Sequence, residues 1–197
     1  MRAFKPNRII FALWAVCALF IAGVAIGLQQ QPRDVLDHYL LVPDRYLTMG
    51  GGAQERDTAI KIRDIKNGYL RIEGAWEGYT EIALFRNPDR SALIAITNVS
   101  FGPGPEQKIY FLIYDGKAWI DKTKEVFARV PQSQIAAAYK KKKDREDEDY
   151  GEAVPHVYRL PRTGTTIRVV TAPGFAAAEI TLAELKWVNG RFEIARH

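Results

Sequence analysis

The chain is short of the side chains that carry nucleophilic, redox and metal chemistry. Of its 197 residues one is cysteine, Cys17, and three are histidine, His38, His156 and His197. Serine occurs only at Ser91, Ser100 and Ser133, and none stands in the Gly-x-Ser-x-Gly setting that exposes a nucleophile at a strand–helix turn. One cysteine leaves no intrachain disulfide and no thiolate zinc site. Cys17 follows Trp14-Ala15-Val16, which breaks the aliphatic-then-small pattern of a lipoprotein acylation site, so it reads as a buried apolar helix residue. His38 stands next to Asp37 and four after Asp34, but nothing supplies a third metal ligand, and a surface helix residue is the plainer reading. His156 has no evident partner. Phe101-Gly102-Pro103-Gly104-Pro105 lacks the lysine and hydroxyl of a phosphate loop. Asn98-Val99-Ser100 is formally a glycosylation sequon, but it sits at a strand end in a chain with no eukaryotic cue.

Strong charge and internal repeats are missing too. The net charge is +5, and Arg2, Lys5 and Arg8 contribute three of it, leaving +2 for the rest. That gives nucleic-acid binding little support.

One long apolar run is present. Residues 9–28, IIFALWAVCALFIAGVAIGL, contain no charge and follow the three basic residues. At about 1.5 Å per helical residue they span roughly 30 Å, the thickness of a bilayer core. The flanking positive charge places the N-terminus in the cytoplasm and the remainder outside it, in the periplasm of a Gram-negative cell. Length favours a retained signal anchor. The alternative is a cleaved signal peptide with Gly23 and Ala25, or Ala25 and Gly27, at the cleavage site. Gly23 and Gly27, and Ala18 with Ala22, place small residues four apart, a spacing that lets a second membrane helix approach and that also arises by chance.

Beyond the run, residues 32–41 predict a short helix with Val35, Leu36, Tyr39 and Leu40 on one apolar face. About four residues of tether precede it, a reach of at most ~15 Å. Residues 44–57, with Gly50-Gly51-Gly52, read as a loop. From Thr58 the pattern is β. Hairpins are expected at Asn67-Gly68, taken as a type I′ turn, at Asn87-Pro88-Asp89-Arg90, at Asp115-Gly116, around Thr163-Gly164 and at Asn189-Gly190. That makes about ten strands, mostly antiparallel. Ile109 to Ile113 is apolar on both faces, which predicts a central strand. Trp119 and Trp187 are expected in the core, and Lys61, Arg63, Arg71 and Arg168 facing outward. In the insert at 131–155, Gln134 to Tyr139 reads helical. Lys140, Lys141, Lys142 and Lys143 then meet six residues rich in acid, a solvated charge block or a docking loop for anionic lipid.

Carboxylates are the remaining route to catalysis. Glu73, Glu77 and Glu81 bracket Trp76 and Tyr79 in EGAWEGYTE, and two carboxylates beside aromatic residues suit glycoside cleavage. Exposed acids are ordinary in a tight connection, so Trp76 and Phe101 are better candidates, as recognition-loop residues.

Two blocks, IKNGYLRIEGAWEGYTEIALF and KIYFLIYDGKAWIDKTKEVF, resemble those of a group of poorly characterised secreted or envelope proteins of bacteria. The resemblance covers roughly residues 39–130 and rests on turns and core aromatics. It implies an exported β-rich domain and carries no activity.

The expected fold is therefore α+β: a transmembrane helix at 9–28 after a cytoplasmic segment 1–8, a linker and short amphipathic helix over 29–57, then a mainly antiparallel β domain of hairpins over 58–197. The expected role is a non-enzymatic, membrane-anchored periplasmic accessory subunit of a larger inner-membrane complex. Membrane lipid and other membrane-protein subunits are the expected partners, with no nucleic acid, cofactor, metal or catalytic residue. A cleaved, soluble periplasmic binding or inhibitor module is the alternative, and a carboxylate hydrolase the remote one.

Overall fold

The computed structural model describes residues 31–74, 77–87, 89–102, 106–143 and 154–195. The apolar run at 9–28 and the acidic block after Lys143 lie outside these. Among the described residues no helix is long and apolar enough to cross a membrane.

The domain is mainly antiparallel β-sheet with a few short helices. Six strands, β1 (Ile60–Asp64), β2 (Tyr69–Ile72), β3 (Gly78–Arg86), β4 (Ala92–Ser100), β5 (Glu106–Tyr114) and β6 (Trp119–Asp121), form one meander in sequence order. Four more, β7 (His156–Arg159), β8 (Thr166–Thr171), β9 (Thr181–Val188) and β10 (Arg191–Ile194), form a second meander. All pairings are between chain neighbours joined by short turns, so each register is set locally.

The large sheet is covered on both faces, which is why its inner strands β2 to β4 are buried on both sides. One face presents Leu70, Ile72, Ile82, Ile94, Ile96 and Leu112 to the helix α1 (Val35–Leu41). The other presents Tyr69, Ala83, Phe85, Ala95 and Phe111 to the small sheet, to the one-turn helix α3 (Thr123–Val126) and to α4 (Gln132–Lys143). Phe192 of β10 anchors that second layer, with ring centroids 5.2 Å from Phe85, 5.0 Å from Phe111 and 4.7 Å from Trp187. Each such buried aromatic adds about 1.5–3 kcal/mol. Covering both faces also explains β5. Its two apolar faces are real, yet it is the penultimate strand, flanked by the three-residue β6.

Asp34 starts α1, its Oδ1 accepting from the N–H groups of Leu36 and Asp37 at 2.8 and 3.0 Å. Pro43 stops it by forcing Val42 into an extended conformation. His38, expected at the surface, is buried instead. Its Nδ1 donates to the Asp34 carbonyl at 2.6 Å and its ring meets Trp119 edge-on at 6.2 Å. Trp119 in turn donates from Nε1 to the carbonyl of Leu41 at 3.0 Å.

The 44–57 stretch is not a loop. It holds a 3-10 turn (Asp44–Tyr46) and the helix α2 (Ala53–Thr58), and its organiser is a buried arginine. Arg56 Nη1 donates to the carbonyls of Tyr39 and Val42 at 3.1 and 2.6 Å, and Nη2 pairs with Asp44. The Tyr39 carbonyl also accepts the Val42 N–H at 3.2 Å, while the Val42 carbonyl lies past the last helical residue, so the guanidinium caps the end of α1.

The turn at Asn67-Gly68 also differs from expectation. Only Gly68, at φ +70°, is left-handed; Asp64 caps a four-residue turn through Asn67. Asn189-Gly190, at φ +49° and +84°, has the positive φ pair of a type I′ turn.

Candidate functional cleft between the sheets

The edge strand β7 lies over the inner face of the large sheet with no strand beyond it. Its free backbone groups are met by side chains instead. Gln107 of β5 accepts from Tyr158 N–H through Oε1 at 2.8 Å and donates from Nε2 to Tyr158 C=O at 2.8 Å. Glu81 of β3 accepts from Leu160 N–H through Oε2 at 3.0 Å. Two side chains thus do the work of a missing strand, because buried backbone groups left unpaired would cost about 1–3 kcal/mol each.

Glu81 is 3% exposed. Tyr69 Oη donates to its Oε1 at 3.1 Å, and Arg159 and Arg71 lie against the same oxygen at 3.5 and 3.6 Å. Burial pushes its carboxyl above the ordinary value of 4.5, against the pull of Arg159, the Leu160 N–H, Tyr69 and Arg71. Burial and the Glu81 charge also raise the Tyr69 hydroxyl. Arg71 and Arg159 both lie over the Tyr79 ring, their guanidinium carbons 4.1 and 4.7 Å from its centroid.

Above this floor opens a cleft of about 630 Å³. Arg71, Arg159, Arg162 and Arg168 line it, with Glu81, Glu179 and Glu184. Thr163 and Thr166 add hydroxyls; Leu160, Pro161 and the Tyr69 ring are its apolar members. Arg159 and Arg168 are cross-strand neighbours, and Glu179 holds both, 3.2 Å from Arg159 Nε and 3.6 Å from Arg168 Nη1. Arg162 is tied to Asp64 at 2.8 Å through Nε.

Of the acids singled out from sequence, only Glu81 is in the cleft. Glu73 is exposed and pairs with Arg71 at 2.8 Å; Glu77 is exposed on the loop before β3. Arg71 was expected outward and instead lies half-buried between Glu73 and Glu81, whereas Lys61, Arg63 and Arg168 are exposed as expected. Phe101 is half-buried against Tyr79, centroids 5.8 Å apart, and its N–H donates to the Glu77 carbonyl at 2.9 Å. Lys140, Lys141 and Lys142 are exposed on α4, with Lys142 Nζ reaching the Thr181 carbonyl. Lys143 is the last residue of α4. Ala18, Ala22, Gly23, Gly27 and Trp76 lie outside the described residues. Gln107 and Arg159 went unnoticed in sequence, since each is an ordinary polar residue on a strand. His156 has a partner after all: Nδ1 donates to the Val154 carbonyl at 2.9 Å.

Among the described residues no group of three metal-ligating side chains is gathered. No family model matches the chain, and no curated protein does. A solved domain of an uncharacterized protein from Porphyromonas gingivalis is similar in fold, at TM-score 0.55 and 16% identity, covering 83% of this chain and 98% of that one. At that identity the likeness is one of fold alone.

Proposed function

We propose that this protein is a non-enzymatic accessory subunit, anchored in the bacterial inner membrane by residues 9–28, with its β domain working on the periplasmic side of a larger membrane complex. The observation that carries the non-enzymatic part is the commitment of Glu81. It meets two requirements of a catalytic acid, burial in a cleft and a raised carboxyl. But the Tyr69 hydroxyl donates to one oxygen, with Arg159 and Arg71 beside it, and the Leu160 N–H donates to the other, so both oxygens are engaged in holding the two sheets together. Its partners include a backbone N–H, which marks a structural post. The anchored part rests on the length of the apolar run and the basic residues before it. Small residues at Ala18, Ala22, Gly23 and Gly27 supply the face for a neighbouring membrane helix, and Lys140 to Lys143 supply positive charge for lipid headgroups. The resemblance to envelope proteins agrees with this compartment.

Purification of the native protein in mild detergent tests the reading. The expected band retains its N-terminus, resists carbonate extraction and co-migrates with membrane subunits. A soluble mature form beginning near Ile26 or Leu28 overturns it in favour of a free periplasmic module.

A further inference from the structure

The cleft between the sheets contains an incomplete hydrogen-bond set, and its completion defines a ligand. Arg159 is 17% exposed in its side chain, and its Nη1 is buried without a hydrogen-bond partner. Glu81 is 3.5 Å from this nitrogen, close enough for charge attraction but not for a hydrogen bond. That nitrogen is itself closed to solvent, so a ligand meets Arg159 only through the part of its side chain that stays open to the cleft. The other arginines are under-used as well. Among the described residues Arg162 is held at Nε alone, and Arg168 makes a 3.6 Å contact through Nη1. Four guanidinium groups and three carboxylates line the cleft; Glu81 is spent on the floor, and Glu73 and Asp64 just outside the lining pair with Arg71 and Arg162.

We infer that this cleft binds a small acidic carbohydrate, a polyhydroxylated molecule carrying a carboxylate. The carboxylate faces the guanidinium groups of Arg159 and Arg168, whose planar donors match its two oxygens. The hydroxyl content follows from the rest of the wall. Glu184 makes no hydrogen bond or ion pair through its carboxylate among the described residues, which leaves it to accept from ligand hydroxyls. Thr163 and Thr166 offer two-way hydroxyl partners. A cleft whose apolar members are Leu160, Pro161 and the Tyr69 ring has little to offer a hydrophobic ligand, and its volume is in the range of small-molecule sites. The inference does not depend on whether residues 9–28 are retained, so the two fail separately.

Isothermal titration of the full chain in mild detergent tests it, with D-glucuronate and D-galacturonate as probes. At least one is expected to bind saturably at millimolar concentration or below. D-glucose, without the carboxylate, and acetate, without the hydroxyls, are expected to bind at least about tenfold more weakly. Arg168→Gln and Glu184→Gln, at sites away from the Glu81 floor, are expected to weaken binding about tenfold while the thermal melt stays put. Arg159→Lys, which keeps the charge but loses the fork, is expected to weaken binding as well, with a lowered melt because Arg159 also balances Glu81. No saturation by either probe overturns the inference. So does equal binding of acetate, tighter binding of inorganic phosphate, or unchanged affinity in Arg168→Gln.

Discussion

Arg56 and Arg159 are both largely withdrawn from water, on opposite sides of the six-stranded sheet. Arg56 is used up. Its guanidinium meets the carbonyls of Gly51, Tyr39 and Val42 and the carboxylate of Asp44, and it ends one helix while holding the next. Arg159 is left over. It balances Glu81 and Glu179, stacks on Tyr79, and still has Nη1 without an acceptor. The difference lies in what surrounds each. Around Arg56 the C-terminus of α1 supplies carbonyls with acceptor capacity to spare. Around Arg159 the backbone edge has already been paired by Gln107 and Glu81, and the remaining space is an open polar cleft. Burial of charge is structural where the partners are complete, and a candidate for binding where they are not.

The sharpest way to break this comparison is to remove the floor. Glu81→Ala leaves the Leu160 N–H and the Tyr69 hydroxyl without their acceptor and takes one of two carboxylates from Arg71 and from Arg159, and a loss of about 3–5 kcal/mol is expected in urea unfolding. A loss below ~1 kcal/mol would mean that the cleft floor is not structural. Arg56→Met tests the other side. It should cost about 2–3 kcal/mol and expose α1 to hydrogen exchange ahead of the sheets. If Arg56→Met unfolds all elements together, α1 is not held separately by that one side chain. Gln107→Ala separates the edge-pairing role from charge. About 1–3 kcal/mol is expected, with no change in the pH profile, since glutamine does not titrate.

The smallest expected effect is a pair of opposed pH dependences. Burial holds the His38 imidazole below its ordinary 6.5, so its contribution to stability is present above that value and is lost as pH falls through the depressed pKa. Burial holds Glu81 above its ordinary 4.5, so its contribution is full below that value and is lost as pH rises through the raised pKa. The two therefore oppose each other across mildly acid pH. Trp119, edge-on to His38, reports on the first through its fluorescence. In His38→Gln the acid-side loss should vanish while the Glu81 leg remains; persistence of the acid-side change in Trp119 would assign it to another group.

Much of the β architecture was legible in the chain because it is local. Nearest-neighbour hairpins need only alternation and turn residues, and the turn at Asn189-Gly190 and the strands around Thr163-Gly164 were readable from those alone. The cleft was legible in one respect that is easy to miss. Glu81 shares its strand face with Tyr79, Ala83 and Phe85, so alternation by itself points it inward. A carboxylate in that register predicts a buried partner, but not which one. His38 was misread for the converse reason. It lies between Val35 and Tyr39 on the buried side of α1, yet a lone imidazole beside two aspartates has the look of a surface residue.

The sequence by itself determined the compartment expectation, the strand count, the turn positions and the scarcity of nucleophiles, because each depends on a contiguous stretch of residues. Only the tertiary structure decided what the polar residues do. Arg56 reaches 14 residues back to Val42, Gln107 reaches 51 residues on to Tyr158, and Glu81 reaches 79 on to Leu160. Whether a charge is saturated or left open depends on which backbone edges arrive beside it. That is set when two sheets close over one another, at separations along the chain that no local pattern records.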